Sequence, residues 1–433
     1  MKFWGLIILI FVLALAGFFL FSRQSKVVNI SAERNESSTA GAVLANVPLD
    51  TPVTPEAAEE KPALPLAEKN NFGDLGYQAQ LSNPPAVVKG IYVTGWTAGS
   101  EKRINALIEL IDKTEVNAII IDIKDYSGFI SYDINDPQFE SAGALKELRI
   151  LKPNLLIKKL HDHGIYAIAR ISVFQDSILA KAHPEWALKN KNTGELWRDR
   201  KSLAWMDPAS KEVWDYNAAL AKDALGRGFD EVNFDYIRFP SDGSLQEIQY
   251  PYWDGLREKH LTMRDFFQYL RENLGEAKIS ADLFGLVTVA IDDLGIGQRL
   301  EDALPYFDFI APMVYPSHYA TGVFGFASPA THPYEIVNNS ILGAMVKIKN
   351  FEFGIPGESS STINGSGTLP AIKIRQARAK LRPWLQDFDL GADYDAEKIR
   401  AQIRGSDEAG GSGWMLWDPK NIYTRGALNH ESQ

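Results

Sequence analysis

GFDEVNFDYIRFP, residues 228–240, decides how this chain is read. It follows KEVWDYNAALAKDALGRG, whose apolar residues recur with a helical period. A short apolar, β-prone run comes next, with Asp235 near its C-terminal end and an aromatic, an arginine and a proline just beyond. Helix, strand and a carboxylate at the strand's end form the unit from which a parallel α/β barrel builds its functional face. A carboxylate placed there can act as a nucleophile or move a proton. Alternatively, Asp235 serves only the turn from strand to loop.

The same unit recurs outward from this point. Upstream, VKGIYVTGWT (88–97) is strand-like, EKRINALIELIDKT has a helical period and NAIIIDIKDYSG is a second strand. PNLLIKKLHDHG is a helix opened by proline and closed by Gly164, and IYAIARISVFQ is a third strand. Asp207-Pro208 is expected to cap the helix that leads to the fourth strand. Downstream, TMRDFFQYLRENLG leads to KISADLFG, and IGQRLEDALPY leads to FDFIAPMVYP. A seventh strand is expected near LRPWLQDF (381–388), and AEKIRAQIRGSDEAG precedes the last, SGWMLWDP (412–419). Alternating strands and helices imply a parallel sheet, and near-continuous apolar strands imply burial on both faces. Eight strands fit an α/β fold of the (β/α)8 TIM-barrel type over residues 86–430. The alternative, an open doubly wound sheet, is disfavoured because no GxGxxG or Walker motif follows any strand. Residues 317–370 are rich in Gly, Ser and Pro and read as a long loop insertion over one face.

Ahead of the barrel, WGLIILIFVLALAGFFLF (4–21) is apolar throughout, with Lys2 before it and Arg23 and Lys26 after it. At ~1.5 Å per residue such a run nearly spans a hydrocarbon core of ~30 Å. A cleaved signal peptide is the rival, since Ala14-Leu15-Ala16 resembles a small-residue cleavage site. The run continues through Phe21, which favours residues 1–24 as an uncleaved transmembrane anchor. Residues 25–85 have proline punctuation and no apolar period, and read as a disordered linker. The expected location is therefore the cell membrane, single-pass, with the barrel on the extracytoplasmic side. The formal net charge of −10 and the lack of a basic cluster argue against nucleic acid as a partner. The absence of cysteine excludes disulfides and thiolate metal sites.

The strand ends carry the chemistry. In order they present Trp96; Asp122 with Lys124 and Asp125; Arg170 with Gln175 and Asp176; Asp235 with Arg238; Asp282; Tyr315 with His318; Trp384, Gln386 and Asp387; and Trp417-Asp418. In a barrel these ends converge on one rim. Paired carboxylates beside aromatic platforms suit glycosidic bond cleavage, in which one acid protonates the leaving oxygen and the other attacks the sugar or activates water. Asp235 is the expected nucleophile or electrostatic stabiliser and Asp282 the general acid/base, with the order open to exchange. Asp122 is a third candidate. Asp122, Arg170, Arg238, Tyr315, His318, Trp96 and Trp417 are expected to bind substrate. The competing explanation is a buried ion-pair network in the barrel mouth. No HExxH or GxSxG motif is present, and His318 and His332, in the long loop, are too isolated to read as metal ligands, so no metal or other cofactor is expected. Trp186, Trp197, Trp205 and Trp214 read as core more than as sugar subsites.

The ordered set GIYVTGW, IDIKDYSG, RISVFQD, WMDPAS, FDEVNFDYIRFPSDG, SADLFG, IAPMVYPSHY, RPWLQDF and GWMLWDP resembles the DUF4015 domain family over roughly residues 86–428. That resemblance implies a (β/α)8 barrel related to hydrolases of the α-amylase and α-galactosidase kind, and a glycosidase activity whose strand-four aspartate falls on Asp235. Two functions follow as expectations. One is a membrane-anchored glycoside hydrolase acting on a cell-surface or extracellular polysaccharide. The other is a carbohydrate-binding barrel that serves as a scaffold without catalysis. A sugar isomerase or lyase is a weaker third reading, because clustered His/Glu ligands are lacking.

Overall fold

The computed structural model describes residues 72–352 and 379–429. The expected anchor, nearly all of the linker and residues 353–378 lie outside the described residues. Among the described residues no helix is long and apolar enough to cross a membrane.

Eight parallel strands close on themselves. They are β1 (Val88–Val93), β2 (Ala118–Lys124), β3 (Tyr166–Ser172), β4 (Glu231–Asp235), β5 (Ile279–Phe284), β6 (Phe309–Met313), β7 (Trp384–Gln386) and β8 (Gly413–Trp417). Each pairs in parallel with the next, and β8 returns to β1 through Val88↔Gly413 to Ile91↔Leu416. Between them run α1 (Glu101–Ile111), α2 (Pro153–Asp162), α3 (Lys211–Arg227), α4 (Lys259–Leu274), α5 (Leu300–Ala303), α6 (Pro333–Glu352) and α7 (Ala396–Glu408). This is the (β/α)8 barrel expected from the sequence, with the seventh strand inside the stretch assigned to it.

Two local expectations are corrected. The helix before β4 is capped by Ser210, whose hydroxyl accepts from the Val213 amide, and not by Asp207-Pro208. Asp207 instead accepts from the amides of Ala209, Tyr252 and Trp253, pinning the lead into α3 against the loop after β4. The expected loop insertion at 317–370 contains α6, a helix of 20 residues. Its Ile336, Val337, Ser340, Ile341, Ala344 and Ile348 are buried at helical spacing, a period masked by the Gly, Ser and Pro around it.

The period-two alternation of the strands sorts side chains between two cores. Ile91, Ile119, Ile121, Ala167, Ala169, Val232 and Phe234 face outward into the layer packed by the helices. Val88, Tyr92, Ala118, Ile120, Tyr166, Ile168, Ala311, Trp384 and Met415 fill the barrel. Gly90 belongs to the inner set because a Cβ there would stand 2.6 Å from Ile120 Cδ1. The inner set also holds a fully buried ion pair, Glu231 with Arg382. Glu231 further accepts from Ser280 at 2.5 Å and from the Tyr166 hydroxyl at 3.3 Å.

Closure is least regular between β6 and β7. Lys380 and Leu381 pair with Phe309 and Ile310, then Trp384 pairs with Met313. Pro312 lies between these contacts and has no N–H to give to the ladder, while Pro383 faces β8, where its carbonyl accepts from the Met415 amide. Trp197, Trp205 and Trp214 are buried, as core residues should be.

Candidate active site

Alternation along β4 sends Glu231, Asn233 and Asp235 inward at rising height, so the strand's last residue reaches the C-terminal mouth. Tyr236 then turns out of the strand with φ of 52°, a left-handed conformation that is unfavourable for an aromatic residue. In that conformation its amide donates to Asp235 Oδ1 at 2.6 Å. The strained turn thus fixes the carboxylate's orientation.

One cation organises the mouth. Arg170, from β3, donates through Nη1 to Asp122 Oδ1 at 2.6 Å and through Nε to Asp282 Oδ2 at 3.3 Å, and Nη2 bonds Asp235 Oδ2. Four strands are therefore joined by a single guanidinium. The remaining carboxylate oxygens also have donors. Asp122 Oδ2 accepts from the Tyr92 hydroxyl at 2.5 Å. Asp282 Oδ1 accepts from Asn233 Nδ2 at 2.8 Å and from Trp384 Nε1 at 2.7 Å. Trp417 lies 4.9 Å from the guanidinium carbon and stacks on Tyr92 at 3.8 Å, with Trp384 edge-on to both.

Charge balance decides the protonation. Three ionised aspartates around one arginine would leave two uncompensated negative charges in a buried site. Burial, then the charge of Asp235, push Asp282 up to about 7 against the pull of Arg170. Burial likewise raises Asp122, opposed by Arg170. Burial disfavours the charge on Arg170, but the surrounding aspartates outweigh it and hold the guanidinium protonated. The Tyr92 hydroxyl is raised far above its ordinary range by burial and by Asp122, and so remains a neutral donor.

The shift at Asp282 has a signed consequence for stability. Below about pH 4 the carboxyl is protonated in both folded and unfolded chains. As pH rises to about 7 the folded chain keeps a proton that the unfolded chain has released, so stability falls, and above that pH the loss is complete. Asp282→Asn should flatten the fall in unfolding free energy between about pH 4 and about pH 8. Equal slopes in variant and wild type would show that Asp282 ionises like an exposed carboxylate.

Of the residues expected at the site, Asp122, Arg170, Asp235, Asp282 and Trp417 are brought together. Tyr315 joins the inner aromatic cluster and lies 5.3 Å from His318, and both pack near Phe388. Arg238 lies among the rings of Phe284, Trp205 and Tyr236 and donates to Phe239 O and Ser241 Oγ, at the β4–β5 edge of the mouth. Trp96 is farther out, on a one-turn helix after β1. Asp387, pushed up to about 6 by burial, accepts from the amide and hydroxyl of Thr424 and so braces the loop after β8. The reading of strand ends missed Tyr92 and Asn233 and gave Trp384 no role. Alternation contained the signal for two of them, since Asn233 stands two residues before Asp235 and Tyr92 is the last inward position of β1. Among the described residues no group of three or more His, Asp or Glu is arranged to hold a metal ion.

The fold agrees with the relatives of the chain. The chain belongs to the DUF4015 family, described as "Putative glycosyl hydrolase domain", which it matches over residues 90–423. Among solved structures it is similar to the glycoside hydrolase domain of PgaB (BpsB) from Bordetella bronchiseptica, with a TM-score of 0.52 and 14% identity, covering 80% of this chain and 100% of that one. At that identity the likeness is one of fold. A hypothetical protein from Ruminiclostridium thermocellum ATCC 27405 is 37% identical, covering 48% of this chain and 98% of that one, with a TM-score of 0.41. The α-galactosidase TtGalA from Thermus thermophilus aligns with 15% identity and a TM-score of 0.46, over 80% of this chain and 60% of that one. No curated protein matches the chain.

Proposed function

We propose that the domain hydrolyses O-glycosidic bonds of a polysaccharide at or beyond the cell surface. The observation that carries this reading is the convergence of three strand-end aspartates on Arg170, with Asp282 raised into the range where a carboxylic acid retains its proton near neutrality. Asp282 gives its proton to the departing oxygen as the bond to the anomeric carbon breaks. Asp235 supports the developing positive charge at that carbon, either by attack or by its field. Water completes the exchange and its proton returns to Asp282. Asp122 and Tyr92 hold Arg170 in place, and Trp417 offers a ring face to the sugar. The test is release of reducing ends from a panel of soluble polysaccharides incubated with the full chain.

The second reading is a binding barrel without catalysis. It draws on the near-complete burial of Asp282, 1% exposed, and on the fact that all three aspartates already have a cationic partner. A chain that binds a glycan and releases no reducing ends supports it.

We also propose that residues 1–24 tether the domain to the membrane, because the apolar run continues past its small-residue site. Membrane fractionation should recover the intact chain in the pellet. A soluble product beginning near Gly17 would reject the tether.

A further inference from the structure

Among the described residues no other tryptophan is as exposed as Trp96, at 52%. It stands on the turn Gly95–Gly99 directly after β1, on the same end of the barrel as the aspartates. The turn is built to be rigid. A Cβ on Gly95 would stand 2.3 Å from Ser131 Oγ, and one on Gly99 would stand 1.7 Å from the Arg149 carbonyl oxygen. Both glycines let this turn press against the segment 131–149, at a spacing that larger residues would forbid. Thr94, at its start, is tied to the loop after β8 through its amide and Asn421 Oδ1 at 3.1 Å.

Beneath the indole lies Arg149, its guanidinium carbon 5.3 Å from the ring. That guanidinium cannot swing away. It donates to Asp125 Oδ2 at 2.5 Å and to Glu147 Oε1 at 2.6 and 3.0 Å, and its side chain is 3% exposed. One indole face is thus backed by a pinned cation. Asp125 is the first residue beyond β2, three residues after Asp122, so the platform follows directly on the strand that carries one member of the aspartate cluster. Tyr126, also 52% exposed, follows Asp125. The exposed Ile422 adjoins Asn421 on the loop after β8. Three neighbouring loops, after β8, β1 and β2, each carry one large exposed apolar side chain.

Exposed rings held in place in the unliganded chain bind flat apolar faces with little ordering cost. The apolar face of a pyranose fits a single indole, and the carboxylates of Asp125 and Glu147, which hold the cation beneath it, can accept from sugar hydroxyls. We infer that Trp96, backed by Arg149 and with the exposed Tyr126 on the neighbouring loop, forms a sugar-stacking subsite outside the bond-breaking centre, so that the ligand is a glycan chain of several units. This deepens the proposed function and rests on its carbohydrate substrate, though not on its chemistry.

The test separates the two. The full chain carrying Asp235→Asn, in detergent, is run through native gels containing soluble galactomannan, glycol chitin, mixed-linkage β-glucan or amylopectin. At least one gel should retard it. Adding Trp96→Ala should weaken that retardation about tenfold or more, the usual cost of truncating an aromatic anchor, and Trp96→Phe should restore part of it. Thermal melting of the variants shows that the fold is kept. Equal retardation with and without Trp96, or retardation in no gel, overturns the subsite. Trp96-dependent retardation of a chain whose wild type releases no reducing ends keeps the subsite and removes the hydrolase.

Discussion

Asp235→Asn is expected to lower hydrolysis by about a thousandfold or more while the melting temperature stays within a few degrees of wild type. The substitution keeps the size of the side chain and its acceptor for the Tyr236 amide, and removes the charge. Removing it also takes away the negative neighbour that helps raise Asp282, so the variant's mouth carries less uncompensated charge than the wild type. The folded state therefore loses an ion pair and gains relief from repulsion, and the two effects oppose each other. Initial rates on the polysaccharide that the wild type degrades, together with a thermal melt, decide the matter. Full activity in the variant would remove Asp235 from the mechanism. A collapse in melting temperature would assign it to the architecture of the mouth instead.

Arg170→Met is expected to be the most damaging single change to stability, costing about 3–5 kcal/mol near pH 8, since it strands buried carboxylates without their cation. The loss should be smaller at acid pH. Without Arg170 the carboxyls of Asp122 and Asp282 are raised further, and a raised carboxyl costs stability as pH climbs from its unfolded-state to its folded-state pKa. Denaturant unfolding of both proteins near pH 5 and near pH 8 measures the difference. Equal losses at the two pH values would show that Arg170 acts by packing and not by compensating charge.

The repeated helix–strand unit made the barrel legible in the sequence, because strands buried on both faces are apolar runs that stand out from amphipathic helices. Its failure at α6 has a definite cause. Ser, Gly and Pro on both flanks outweighed the buried spacing of Ile336 to Ile348, which had to be read inside a stretch of mixed composition. The site was legible as strand ends, and Asp122, Arg170, Asp235 and Asp282 do meet. The identity of the central group was not. Four residues at four strand ends are equivalent in a sequence, and only closure of the barrel shows that Arg170 reaches three aspartates at once. Tyr92 and Asn233 were hidden for a related reason. They lie inside strands, one layer in from the ends, and only alternation marks them as inward. Trp96 sat at a strand end in sequence, yet the turn Gly95–Gly99 carries it away from the central cluster.

The seam between β6 and β7 links the barrel's motion to its chemistry. Pro312 deprives that ladder of a donor and the pairing is broken between Leu381 and Trp384, so the seam has fewer cooperative bonds to break than the ladders of β1 to β5, and opening is expected there first. Trp384 sits on the far side of that gap and supplies the indole–carboxylate bond that helps orient Asp282. Each excursion that parts β7 from β6 withdraws this donor and leaves the acid less anchored. Solvent exchange at the seam and the proton affinity of Asp282 are thus two readouts of one fluctuation.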